Sequence, residues 1–254
     1  MSILITDWGN LDQMLPIVLK YKVGMEVLEF AIPENLEGAS SLVPVIQDKV
    51  KGIPLISLHG PFSELVPASR DPLVRQVART RFQQGYEAAK KIDARHLILH
   101  SGFFPKTYPR DQWIQNSFEF WIDFLADKPT PNMIHMENVY EDDFTALQEL
   151  IDRVNETFQA DILSVCLDIG HVNANSSKTL ADWIIGLGDR IRYAHIHNND
   201  GILDDHWRLD KGKINIKEVL DLLSVHSPNA VWTVETILSD IEPSVQWLQE
   251  RGYL

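Results

Sequence analysis

Several short apolar segments of this 254-residue chain finish on a side chain that can bind a metal ion or carry a proton. These residues are His59, His100, Glu137, Asp168, His197 and Glu235. Further donors come just after two of the segments: His171, Asp204 and His206. Imidazole nitrogens and carboxylate oxygens bind zinc and manganese in catalytic sites. Because Cys166 is the single cysteine, a metal site would depend on histidine and carboxylate ligands.

The apolar segments alternate with longer segments of helical period, which is typical of repeated strand–helix units and a parallel sheet. Gly24 and Gly188 follow two of the helical segments, where a C-cap glycine is expected. Eight units follow one another along the chain. The predicted strands are Ile3–Thr6, Met25–Ile32, Leu55–His59, His96–His100, Met133–Asn138, Leu163–Asp168, Arg192–His197 and Val231–Thr236.

Eight such units predict one (β/α)₈ TIM barrel over residues 1–254, because closed barrels of this kind run to about 250 residues around a single core. An open doubly wound sheet is the alternative, and it fits the length and the number of units less well. The C-terminal ends of barrel strands converge on one mouth. The nine donors, although distant in sequence, are therefore expected to meet there.

Residues two positions before these strand ends are expected to point into the same barrel interior, because side chains alternate along a strand. They are Ser57, Ile98, His135, Cys166, His195 and Thr233. The polar members could orient metal-bound groups. His135 and His195 could equally be hydrogen-bonded interior histidines, and Cys166 is better explained as a small buried hydrophobic residue.

The charge balance limits the possible partners. The chain has 36 acidic against 23 basic residues, a formal net charge of −13, and no run of basic residues. Such a surface repels DNA, so no nucleic-acid partner is expected. No uninterrupted apolar segment of about 18 residues is present, so we expect a cytoplasmic protein without a membrane partner.

Seven segments, in order along the chain, resemble those of the xylose isomerase-like barrels, a group that includes endonuclease IV and many sugar phosphate isomerases and epimerases. They are His59-Gly-Pro-Phe62, Leu99-His100-Ser-Gly102, Met136-Glu137-Asn138, Cys166-Leu-Asp-Ile-Gly-His171, His197-Asn-Asn-Asp200, Asp204-Asp-His206 leading to Gly212, and Thr233-Val-Glu235-Thr236. Singly these motifs are weak. Together, with barrel spacing, they are specific and cover the third to the eighth strand.

The resemblance implies two alternative ligand sets. In the sugar isomerase branch one divalent ion is held by residues that match Glu137, Asp168, His197 and Glu235. In the endonuclease IV branch three zinc ions share nine ligands. The additional five would be His59 and His100 on one ion, and His171, Asp204 and His206 on another. We choose Asp204 over Asp205 for its Asp-x-His spacing, and His197 over His195 because His197 precedes Asn-Asp and lies nearer the strand end.

Two enzyme classes follow, each with one to three divalent ions, zinc first and manganese second. A phosphoesterase would use all nine donors, with Glu137 bridging two ions. Arg208 could meet a phosphate, although it is better explained as an exposed loop arginine. A sugar or sugar-phosphate isomerase or epimerase would need the central ion, with Glu137 and Glu235 moving a proton between neighbouring carbons. The sequence favours the phosphoesterase, because the isomerase does not need the outer donors.

Substrate recognition is less well determined by the sequence. Either class would act on a small sugar or phosphoester, and an abasic-site nuclease is not expected, because the loops are short and the surface is acidic. Trp8, Phe62, Phe103 and Trp207 lie near the predicted mouth and could form an apolar wall for a sugar face, although plain packing is the more common role for each of them. A catalytically silent metal-binding barrel is the third and least favoured class.

Overall fold

Eight parallel strands pair in chain order, and β1 also pairs with β8, which closes the sheet into a barrel. The computed structural model describes residues 2–128, 130–131 and 133–254. The strands are β1 (Ile3–Thr6), β2 (Gly24–Val27), β3 (Ile56–His59), β4 (His96–His100), β5 (Ile134–Glu137), β6 (Leu163–Asp168), β7 (Ile191–Ile196) and β8 (Val231–Val234). The predicted barrel architecture is therefore confirmed, and strand boundaries other than that of β2 agree within about two residues.

Helices surround the barrel and cover its outer face. In the described residues they are α1 (Leu11–Tyr21), α2 (Pro33–Glu37), α3 (Ala39–Lys49), α4 (Pro72–Lys91), α5 (Arg110–Leu125), α6 (Thr145–Phe158), α7 (Ile169–Asn175), α8 (Leu180–Leu187), α9 (Ile216–His226) and α10 (Leu238–Glu250). Side chains cap the starts of four of these helices, α4, α7, α8 and α9. Asp71 accepts a hydrogen bond from the Leu73 amide at the start of α4, and Thr179 and Asp182 form a capping box at α8.

The second predicted strand was too long. Met25–Ile32 was expected, but β2 ends at Val27 and a 3₁₀ turn covers Glu29–Ala31. The chain turns because Leu28 leaves the extended region, with φ −104° and ψ −7°, and its amide donates to the Asp7 side chain. An apolar run alone cannot distinguish a strand from a strand followed by a buried turn.

The two predicted C-cap glycines have different roles. Gly188 does follow α8, with φ +54°, and its amide donates to the Ile184 carbonyl oxygen. At the end of α1, Lys22 instead takes the left-handed conformation, while Gly24 is the first residue of β2. A Cβ on Gly24 would lie 2.6 Å from the Leu55 carbonyl oxygen, so glycine is required there for close strand packing.

The barrel has two separate apolar regions. The larger lies between the strands and the helices, while a smaller cluster of Ile98, Cys166 and Tyr193 fills the barrel interior. All six residues of the predicted interior layer are fully buried. This packed interior gives the strand ends a rigid base, which is what a site assembled from several strands needs.

Within the described part of the chain, no helix combines the length and apolar character needed to cross a bilayer.

Candidate metal centre

The donors from β3, β4 and β5 form one group at the barrel mouth. His59 Nε2 and His100 Nε2 each lie 3.3 Å from Glu137 Oε2. Their imidazole rings are 5.2 Å apart. One ligand atom from each of the three residues lies within 4.8 Å of the others, close enough for a shared ion. The sequence predicts that these three residues lie close together, and the structure places them within reach of one ion.

A second, fully buried group lies at the centre of the mouth. His195 Nδ1 is 3.0 Å from Glu137 Oε1, 3.1 Å from Glu235 Oε2 and 3.7 Å from Asp168 Oδ2. The four residues can each direct one donor atom to a common point, since these atoms lie within 4.8 Å of one another. Three carboxylates and one imidazole are a suitable ligand set for a divalent transition metal.

The histidine of this central group is His195, where the sequence analysis chose His197. The pairing of β6 with β7 contains a register shift, where Val165 pairs with Ile191 but Cys166 pairs with Tyr193. The shift places His195 directly beside Asp168. Both histidines lie near Asp168, and the choice of His197 for the central ion stays a prediction.

His197 lies one layer further out. Its Nε2 atom is 3.1 Å from Asp168 Oδ1, and its ring stacks on His206 with centroids 4.0 Å apart. With His206 and Glu235 it forms another possible ligand group. Gly170 leaves the space for this ring, because a Cβ there would fall 1.9 Å from the imidazole Cε1. His197 therefore stays at the mouth, between the central group and the outer loop.

The remaining predicted donors meet around one carboxylate oxygen. Asp204 Oδ2 lies 3.0 Å from His171 Nε2 and 3.0 Å from His206 Nε2. Asp204 is on the loop after β7 at the open edge of the mouth, and His206 adopts a positive φ of 50°. The choice of Asp204 over Asp205 agrees with this placement. The nine predicted donors and His195 thus converge on one end of the barrel.

Several imidazoles are held with one nitrogen turned toward the centre. His59, His171 and His206 each place Nδ1 within 2.7–2.9 Å of a backbone carbonyl oxygen, from Gly60, Asn138 and Glu235 respectively. A carbonyl can only accept, so each Nδ1 carries the proton and each Nε2 keeps its lone pair in the neutral ring. This is how metal-binding histidines are usually oriented.

Glu26 is a buried acid that the sequence analysis did not identify. Its Oε2 atom accepts hydrogen bonds from His195 Nε2 at 3.3 Å and from the Tyr193 hydroxyl at 2.7 Å, and its Oε1 atom lies 3.2 Å from the same His195 nitrogen. A carboxylate that accepts from the far nitrogen of a metal-binding imidazole fixes the ring and raises its basicity. A glutamate between Met25 and Val27, within an apolar strand, is the sequence signal that could have revealed it.

The predicted lower layer has a different role from the donors. Ser57 and Thr233 hydrogen-bond to the Tyr193 hydroxyl, at 2.7 Å and 2.5 Å. His135 turns away from the mouth and contacts His96 Nδ1 and the Ser164 hydroxyl, at 2.8 Å and 2.7 Å. For His135 the hydrogen-bonded interior alternative therefore describes the structure better, whereas His195 belongs to the central group.

The electrostatics of the centre depend on the pairing of buried acids with imidazoles. Burial alone would raise the pKa of Glu137, but the nearby His195 and His100 imidazoles hold it well below its usual value. Burial raises the pKa of Glu235. Burial opposes charge on His206, yet its hydrogen bond with Asp204 raises its pKa to about 9. Protonated imidazoles thus balance the carboxylates in the metal-free protein.

The donor set fits a divalent ion. Glu137 Oε2 and Glu235 Oε2 are buried and lie near imidazole nitrogens, but among the described residues they form no hydrogen bond of acceptable geometry. Buried carboxylate oxygens without a partner are costly, and a bound cation would satisfy them. We therefore regard this group of residues as a candidate metal centre.

The predicted aromatic residues also lie around the mouth. Phe62 and Phe103 line a cavity beside His100, whereas the Trp8 indole donates to the Thr236 carbonyl oxygen and packs edge-on against His206. Arg208 forms hydrogen bonds with Asp210. A phosphate-binding role for Arg208 would require this ion pair to break.

Comparison with known proteins identifies similar chains. A family model described as a xylose isomerase-like TIM barrel matches residues 22–252. The uncharacterized protein MJ1311 of Methanocaldococcus jannaschii is 26% identical over 190 residues, which cover 71% of this chain and 64% of that protein's length. This chain thus spans a little under two thirds of that relative.

Solved structures share the whole barrel. The TTHB071 protein from Thermus thermophilus, soaked with ZnCl₂, superposes with a TM-score of 0.81 and 22% identity, covering 100% of this chain and 98% of that one. A D-tagatose 3-epimerase-like protein gives a TM-score of 0.77 and 22% identity, covering 98% of this chain and 96% of that one. At 22% identity, these two matches show a shared fold.

Proposed function

The chain belongs to the xylose isomerase-like TIM barrel family, and from this premise we propose that it is a divalent-metal-dependent isomerase or epimerase of a small sugar. The observation that carries the proposal is the central group of Glu137, Asp168, His195 and Glu235, four buried donors within reach of one ion. Zinc is the ion we propose, with one ion in the central group. The outer donors have the residue types to hold up to two more.

A bound divalent ion in the central group would polarise the carbonyl and adjacent hydroxyl oxygens of a sugar and acidify the intervening C–H bond. Glu137 and Glu235 would take a proton from one carbon and return one to the same or the neighbouring carbon. Each has two carboxylate oxygens, so it can hold the ion with one and accept a proton with the other. Asp168 and His195 would fix the geometry, and Glu26 would orient His195.

Phosphoester hydrolysis, which the sequence favoured, is the second candidate. Its support is the convergence of His59, His100 and Glu137, and of His171, Asp204 and His206, on either side of the central group. The comparisons support the sugar isomerase alternative more than the phosphoesterase, since the named function among these structural matches is sugar epimerisation. Isomerase chemistry is therefore our main proposal.

Solvent exchange separates the two functions directly. Metal-loaded protein would be incubated in D₂O with a panel of ketoses and ketose phosphates, and proton NMR would follow the C–H signals next to the carbonyl. Proton abstraction by Glu137 or Glu235 should replace these protons by deuterium. Bis(p-nitrophenyl) phosphate would be the parallel substrate. Hydrolysis of this diester without any C–H exchange would refute the isomerase proposal and support the phosphoesterase.

A further inference from the structure

A cavity of about 660 Å³ lies beside the candidate metal centre and opens onto it. Its walls come from the loops after β3, β4 and β5. His100, His171 and Asp204 belong both to this cavity and to the donor groups of the centre. A substrate chelated at the centre would therefore have its remaining atoms in the cavity. Its size lies in the range of small-molecule sites, and it exceeds what the chelating end of a sugar fills.

The outer wall of this cavity carries three exposed aromatic rings. Phe62, Phe104 and Tyr140 are 37%, 52% and 49% exposed, although large apolar side chains usually have less solvent contact. Phe62 stacks on His100, with ring centroids 4.6 Å apart. Three exposed rings around one opening provide a surface for a flat, apolar group, because aromatic side chains bury large area in preferred stacked or edge-on geometries.

The charges around the cavity disfavour a phosphate group. Its described lining contains two carboxylates, Glu64 and Asp204, and no lysine or arginine. Phosphate recognition normally relies on arginine, lysine or helix N-termini. The whole chain also carries a net charge of −13, which repels anions. An uncharged group would meet no such penalty.

We propose that this cavity is the substrate's second subsite, and that it holds an uncharged substituent of aromatic-ring size attached to the sugar. The proposal rests on the proposed function, because it takes the chelated end of the substrate to lie at the metal centre. It specifies the substrate class as sugar derivatives that keep a carbonyl beside a hydroxyl and also carry an apolar ring, such as an aryl ether of a ketose, in preference to sugar phosphates.

Three chelators with the same metal-binding head test this subsite. Acetohydroxamic acid has a methyl arm, benzohydroxamic acid a phenyl arm, and 4-sulfobenzohydroxamic acid a phenyl arm with a terminal anion. Isothermal titration would measure their dissociation constants on zinc-loaded protein. We expect benzohydroxamic acid to bind at least tenfold more tightly than acetohydroxamic acid. The sulfonate should weaken binding at least threefold relative to benzohydroxamic acid at low salt.

The double variant Phe104→Ala with Tyr140→Ala tests whether the phenyl arm binds in this cavity. It should lose at least fivefold in affinity for benzohydroxamic acid and stay within twofold for acetohydroxamic acid. Leu19→Ala, which truncates an apolar side chain that is 70% exposed on α1, is the matched control and should behave as wild type. A phenyl preference that survives the double variant, or tighter binding of the sulfonate, would overturn the proposal.

A second measurement separates failure of the subsite from failure of the metal function. If acetohydroxamic acid does not bind zinc-loaded protein, the proposed metal centre is wrong. Saturation-transfer NMR with phenyl β-D-glucoside on metal-free protein then tests the cavity alone. Transfer to the phenyl protons that weakens in the double variant would support the subsite, and equal transfer in both proteins would contradict it.

Discussion

The barrel interior contains two polar layers, one above the other, and their hydrogen bonding differs. The lower layer consists of Ser57, His135, Tyr193 and Thr233, with His96 at the start of β4. In it the Tyr193 hydroxyl contacts Glu26, Ser57 and Thr233, and both ring nitrogens of His135 are engaged. The mouth layer consists of the nine predicted donors and His195, and it leaves oxygens of Glu137 and Glu235 unpartnered among the residues that the structure describes.

This difference shows which polar residues the fold itself needs. A buried polar group that is fully paired costs little and helps to specify one packing arrangement. An unpaired buried carboxylate is costly, so its retention at the mouth indicates a ligand that completes it. Glu26 connects the layers, because it bonds to Tyr193 below and lies beside His195 above.

The largest effect is expected at Glu235, in the mouth layer. Glu235→Ala should lower turnover by ~10³-fold or more, since loss of the central ion removes several kcal/mol of charge stabilisation. Metal-free Glu235→Ala should melt at or above the temperature of metal-free wild type, because burial disfavours the ionised carboxylate and the neighbouring carboxylates repel it. Calorimetry on chelator-treated protein checks this, and a clearly lower melting temperature would contradict the assignment.

The next largest effect is expected at Glu26, where the layers meet. Glu26→Gln keeps the size of the side chain but removes the charge beside His195 Nε2. Zinc affinity should fall by about 10- to 100-fold, the usual cost of losing such a partner. Competition with a fluorescent chelator measures this. Tyr193→Phe is the control, since it removes a hydrogen bond to Glu26 but leaves its charge, and its effect should be smaller. Unchanged zinc affinity in Glu26→Gln would show that Glu26 supports the fold but not metal binding.

His100 tests whether the outer donors matter for the reaction. In the proposed isomerase the central ion does not depend on His100, so His100→Ala should keep that ion and retain sugar turnover within about tenfold, or ~1.4 kcal/mol. Metal analysis and both activity assays would be run side by side with wild type. Loss of an ion together with phosphodiesterase activity would favour the phosphoesterase instead.

The smallest effect is expected in the lower layer, from titration of His96. Burial lowers the pKa of His96 to about 4. The neutral ring is favoured on folding, so its contribution to stability is complete above about pH 6.5 and is lost as the pH falls toward 4. His96→Gln removes this titration. As the pH falls from 7 to 4.5, the melting temperature of the variant should rise relative to that of wild type. The expected rise is about 2–4 °C for each kcal/mol of unfolding free energy that wild type loses by protonation of His96.

Differential scanning fluorimetry across this pH range compares the two proteins. The comparison uses metal-free protein, so that metal release does not contribute. A constant temperature difference from pH 7 to pH 4.5 would show that His96 does not titrate as described.

Much of the architecture could be predicted from local pattern. Apolar segments in strand-then-helix order determine the number of barrel units, because each segment must bury its own face. The convergence of His59, Glu137 and Glu235 could also be anticipated, because each comes at a strand end and barrel strand ends meet at one mouth. The phosphoesterase hypothesis depends on the types and spacing of the outer donors, and it stays a weaker candidate than the isomerase.

The sequence by itself determined the barrel, the residue types at its mouth and the acidity of its surface. The barrel and the residue types at its mouth follow from the local sequence pattern of each strand and helix. The acidity follows from the sum of the charged residues. Only the tertiary structure showed that His195 lies within reach of Glu137, Asp168 and Glu235, because the pairing of β6 with β7 decides which residues are level at the mouth. Glu26 and the aromatic cavity likewise became evident in three dimensions, since their roles depend on contacts between residues far apart in sequence.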